Sequence, residues 1–196
     1  MKKLGLFAGV IILLIALVVI ATQIGNTKEE NVFTLVSGEK PVWDFEGVFE
    51  QTPELTLRAE TEKDRLVAML GTEEFPDYDI EIGIAEQHSL LGEGEDAYEH
   101  LQKAISLSEA RSLAFVNMGT LLGKVGAPES AKLAYEMALD RDDTVQNRIQ
   151  YIQHLEQYFG DDLDLVESAH TFALEKFPES DILQGRYDSW KKLHDR

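Results

Sequence analysis

Five histidines, His88, His100, His154, His170 and His194, and a surplus of carboxylates are the side chains of this 196-residue sequence best suited to acid–base or metal chemistry. The histidines show no His-x-x-x-His or His-Glu-x-x-His spacing, the pattern that sets two imidazoles on one helix face around zinc. Asp161-Asp162-Leu163-Asp164 resembles the start of a calcium loop, but it lacks the central Gly and the closing Glu of the helix-loop-helix site. It reads as a solvated turn with Asp162 or Asp164 at a helix N-terminus. Glu93-Gly94-Glu95-Asp96 reads the same way, since a hydrolytic pair of acids would need a cleft and a raised pKa. Gly92-Glu93-Gly94 is not followed by the Gly-Lys-Ser/Thr of a phosphate loop. Cysteine is absent, which excludes disulfides, a thiolate nucleophile, a Cys-based zinc site and a lipidated cysteine. The sequence is therefore read as that of a protein with no catalytic residues, cofactor or metal, and not of an enzyme.

Elements rather than reactive groups organise the chain. Hydrophobic residues make up 44% of it and prolines number only five, which excludes a wholly disordered protein. Residues 1–26 carry two charges, Lys2 and Lys3, so the remainder holds 16 Lys+Arg against 36 Asp+Glu, a formal net of −20. Such a domain lacks the basic surface that nucleic acid or an anionic membrane face requires. The charge keeps an exposed domain soluble, or draws a basic partner.

The apolar run from Leu4 to Ala21 is long enough, at about 18–20 residues, to cross the roughly 30 Å hydrocarbon core as a helix. Residues 1–24 are predicted to be a single transmembrane anchor, with 25–52 a linker and 53–196 a helical domain. Lys2 and Lys3 precede the run, whereas Glu29 and Glu30 offset Lys28 after it. The positive-inside bias puts the N-terminus in the cytoplasm and the domain on the far side of the cytoplasmic membrane. The alternative is a secretory signal cleaved after Ala21. The run exceeds the usual 7–15 residues of a signal core, which favours retention.

Within the domain the sequence repeats at an offset of 34 residues. Aligning Tyr78–Arg111 with Ser112–Val145 sets Gly92 on Gly126, Glu95 on Glu129, Ala97 on Ala131 and Ala104 on Ala138. Large positions stay in step too, with Ile84 on Met118 and Ile105 on Leu139. Each block reads as two amphipathic helices joined at its central glycine, Gly126-Ala127-Pro128 being a helix stop followed by a helix start. A third block, about 147–180, keeps the helical pattern but lacks the small residues. Ser180-Asp181 opens a final helix, 181–194, suited to cover the open end of a stack. Thr52-Pro53-Glu54 opens another, running to about Leu70. In the linker, Val42-Trp43-Asp44-Phe45 and Val48-Phe49 are apolar enough to fold back onto the first repeats.

The order Phe115, Met118, Gly119, Leu122, Gly126, Ala131, Tyr135, Ala138 resembles the tetratricopeptide-repeat consensus, with Asp143 at the place of its terminal proline. The first block departs at Glu81 and His88, and the third ends on the family's proline at Phe177-Pro178. The resemblance, to the membrane-anchored bacterial type, implies an all-α fold: an α-solenoid of about three helix hairpins with a C-terminal capping helix. It also implies a groove for a protein or peptide partner, lined by Ile82, Glu86 and Ser89, by Val116, Thr120 and Lys124, and by Arg148, Tyr151, Leu155 and Tyr158. Ile82 and Glu86 stand where the family's carboxylate clamp needs a base and an amide, so that mode is rejected. Tyr151 and Tyr158, two turns apart, are the expected anchors. The function implied is a membrane-anchored extracytoplasmic scaffold, by analogy of layout with accessory factors of envelope assembly, secretion or cytochrome maturation. The alternatives are a released periplasmic or secreted binding protein and, less favoured, an unrecognised enzyme.

Overall fold

A computed structural model describes residues 32–49 and 51–195. Residues 1–24, expected to span a membrane, lie outside the described residues. Among the described residues, no helix is long and apolar enough to cross a membrane.

The described chain is all-α. Eight helices follow one another: α1 Pro53–Met69, α2 Asp77–Leu91, α3 Gly94–Leu107, α4 Leu113–Lys124, α5 Pro128–Arg141, α6 Val145–Tyr158, α7 Leu163–Lys176 and α8 Asp181–Leu193. Among the described residues there is no strand, only an isolated bridge between Asp44 and Glu93. The helix boundaries follow local chemistry. Proline opens α1 and α5, where its missing N–H costs nothing. Thr144, Asp162 and Ser180 cap α6, α7 and α8 by accepting from the backbone N–H three residues on. Gly92 and Gly126 end the first helix of their pairs with φ of 84° and 77°, a left-handed conformation that Gly adopts without a side-chain penalty.

Each helix packs against the next in the chain, and α4 also touches α2 on one side and α6 on the other. The small and large positions of the repeat explain the close approach within a pair. A Cβ at Gly119 would come within 2.8 Å of the Tyr135 ring. Ala97, Ala104, Ala131 and Ala134 have no exposed surface, while Ile84, Ile105, Phe115 and Met118 fill the space they leave. The last pair and α8 share a separate cluster built on Ile152, Leu155, Val166 and Trp190.

Residues 33–49 form an extended strap bonded to the first two pairs. Phe33, nearly fully buried, is clasped by Gln102, which accepts from the Phe33 N–H at 2.8 Å and donates to its carbonyl at 2.5 Å. Glu39 then serves α5 as a cap from outside. Its carboxylate accepts from the N–H groups of Glu129 (2.8 Å) and Ser130 (2.9 Å) and from the Ser130 hydroxyl. Further on, the Val42 N–H donates to the Val125 carbonyl at 2.8 Å, and the Trp43 carbonyl accepts from the Gly94 N–H at 3.0 Å. The return of Trp43 and Phe45 to the helices follows the sequence expectation. Val42 and Val48 instead face solvent, and the deepest anchor is Phe33, which precedes the apolar cluster.

Candidate functional site

A groove of about 410 Å³ runs between α2 and α4, with Ala97 and Leu101 of α3 at its floor. Helical periodicity builds it. Ile82, Glu86 and Ser89 recur at spacings of four and three along α2, and Leu113, Asn117, Thr120 and Lys124 do so along α4. The walls are apolar and the rim is polar, the composition of a site that holds a side chain or a short segment. The Lys124 ammonium donates to the Ser89 hydroxyl at 3.2 Å and lies 5.8 Å from the Phe45 ring centre. Loss of water around it pushes its pKa below the usual lysine range. The Thr120 hydroxyl is 3.0 Å from that of Tyr135, tying the α4 wall to α5.

The groove gathers Ile82, Glu86, Ser89, Thr120 and Lys124. Val116 is buried on the same helix and does not line it. The third-block residues take other places. Leu155 is wholly buried in the last cluster. Arg148 is buried as well, in a two-pronged pair with Asp143 at 2.7 and 2.6 Å, its guanidinium 4.7 Å from the Phe172 ring centre. Tyr151 donates to Glu136 at 3.0 Å, and Tyr158 donates to the Gly123 carbonyl at 2.7 Å. Both tyrosine hydroxyls thus bind the preceding pair, and their position is the seam between pairs.

Histidines occupy the other polar junctions. His170, almost without exposed surface, meets Glu156 at 2.9 Å and stacks on Tyr187. His154 sits among the rings of Tyr135, Tyr158 and Phe159, with Nε2 2.8 Å from the Pro128 carbonyl. At the α2–α3 turn, His88 Nδ1 lies 2.7 Å from Glu93, which also takes the Lys63 ammonium of α1 at 3.1 Å. The His88 ring stacks on that of His100, which in turn reaches the buried Glu81 at 2.5 Å. Sequence spacing missed this group because its members belong to three helices. Only the Gly92 turn, which folds α3 back along α2, hinted at it.

Burial holds the His154 pKa below its ordinary value, reinforced by Lys132 and opposed by the Pro128 carbonyl, Glu129 and Glu39. The unfolded chain, titrating near pH 6.5, takes up the proton first. The contribution of neutral His154 is therefore complete above about pH 6.5 and is lost as pH falls below it. Melting measured at about pH 7.5 and 5.5 should show a lower Tm on acidification, with a smaller fall in His154→Gln. Equal falls in the two proteins would remove His154 from the acid response.

Compared with known proteins, the chain matches no family model, and none of the curated proteins matches it.

Proposed function

We propose that this protein is a membrane-anchored, extracytoplasmic scaffold of tetratricopeptide type, in which three helix hairpins, α2–α3, α4–α5 and α6–α7, form an α-solenoid capped by α8. The observation that carries the reading is the convergence of Ile82, Glu86, Ser89, Thr120 and Lys124 on one groove. Sequential pairing of helices, together with contact among the first helices of successive pairs, supports the solenoid. The partner is a protein segment that places an apolar side chain against Ile82 and Leu121 and an acidic or carbonyl group within reach of Lys124. Charge on this rim fixes orientation, and apolar burial supplies affinity.

A photoreactive side chain at Thr120, in the full-length protein in intact cells, tests the reading against the same probe at exposed Asp140 on α5. The expected result is a discrete adduct from position 120 alone, reduced about tenfold by Lys124→Glu, equivalent to ~1.4 kcal/mol of binding. An adduct indifferent to that change, or equal from both positions, would remove the groove as the binding site. Sequencing the mature N-terminus decides the anchor, since a chain beginning at Thr22 would be a released binding protein.

A further inference from the structure

At the α2–α3 turn, among residues that do not line the groove, three metal-ligating side chains converge. His88 closes α2, Glu93 precedes α3, and Asp96 lies in the first turn of α3. His88 Nδ1, one oxygen of Glu93 and one of Asp96 all lie within 4.8 Å of one another. The imidazole stands 2.7 Å from Glu93 and 3.9 Å from Asp96. Around a zinc ion with bonds of about 2.1 Å, tetrahedral ligand atoms stand roughly 3.4 Å apart. Reaching that spacing takes shifts of about 0.7 and about 0.5 Å between His88 and the two acids, and closure of the two carboxylates by up to about 1.4 Å, within reach of side-chain rotation at exposed Asp96.

Two observations set this group apart from an ordinary acidic rim. First, His88 is only 9% exposed, and its ring is fixed by stacking on His100 at 5.2 Å, which Glu81 in turn holds. Burial and stacking limit rotation of the ring and keep Nδ1 directed at the two acids. Second, the group already attracts a cation. The Lys63 ammonium reaches across from α1 to the Glu93 oxygen that faces His88, 3.1 Å away. Lysine and metal would compete for that oxygen, so α1 carries a tethered competitor for the ion.

We propose that His88, Glu93 and Asp96 form a site for a divalent transition metal, with zinc as the best fit to one imidazole and two carboxylates, and that Lys63 holds it closed without metal. The fourth position is open to water. Zinc binding displaces the Lys63 ammonium and loosens the attachment of α1 to the turn.

Calorimetric titration of chelator-treated full-length protein with zinc chloride tests this, with the visible absorption of four-coordinate cobalt as a second reading. One ion per chain is expected. Asp96 is exposed, so Asp96→Asn should leave the fold intact while weakening zinc at least tenfold. Lys63→Met should tighten zinc about tenfold, because the competitor is gone. Absence of binding in both the parent and Lys63→Met overturns the proposal. So does zinc binding that neither substitution changes, since the ion would then sit elsewhere on the acidic surface.

Discussion

Ala131→Asp is expected to destabilise the protein by about 4–5 kcal/mol and to lower Tm by more than about 10 °C. Ala131 has no exposed surface and lies in the first turn of α5. A carboxylate there gains some stabilisation from the helix N-terminus, about 0.3–1 kcal/mol. The loss of hydration for a buried, unpaired charge is several kcal/mol and outweighs that gain. Glu39 adds to the cost, because its carboxylate already occupies the N–H groups of Glu129 and Ser130. Thermal melting followed by circular dichroism reads the effect. An unchanged curve would show that the 34-residue alignment assigns the inward face of α5 wrongly.

A pair of glycine substitutions should separate the strap from the turn. Gly92 and Gly126 occupy equivalent places in the repeat, and both have positive φ. An Ala at either position bears the left-handed penalty, about 1 kcal/mol. A Cβ at Gly126 meets nothing within 4 Å, whereas one at Gly92 would fall 2.2 Å from the Phe45 carbonyl oxygen. Gly92→Ala must therefore push the strap away and weaken the bond from Gly94 N–H to the Trp43 carbonyl. Its expected cost is about 3 kcal/mol in total, against about 1 for Gly126→Ala. Chymotrypsin should cut after Phe45 faster in Gly92→Ala only. Equal losses in the two variants, without faster cutting, would mean that the strap contributes little to stability.

The contrast between these glycines marks what could be read from sequence. The turns, the inward alanines and the final helix are local or repeated, so periodicity and spacing reveal them. The strap is neither. Phe33 meets Gln102 from 69 residues away, and Glu39 meets Ser130 from 91. Extended backbone gives no helical period, and nothing in a lone Glu announces a distant helix end. Helical spacing along α2 and α4 was legible and brings Ile82, Glu86, Ser89, Thr120 and Lys124 to one cavity, whereas Val116, the repeat equivalent of Ile82, turns away from it. Tyr151 and Tyr158 were harder to place. A tyrosine on the first helix of a pair can face solvent or reach the preceding pair, and here hydroxyl partners at Glu136 and Gly123 decide it. The His88 group needed three helices in place before its members met.

In a linear array of helix pairs, coupling ordinarily passes only between neighbours, so one unit can open while the rest persist. The strap adds a second path. It is bonded to Gln102 and Gly94 in one pair and to Val125 and Ser130 in the next. Neither of those pairs can open without also releasing the segment that holds the other. They should melt as one cooperative block, with α6–α8, joined to it through Tyr151 and Tyr158, forming a looser end.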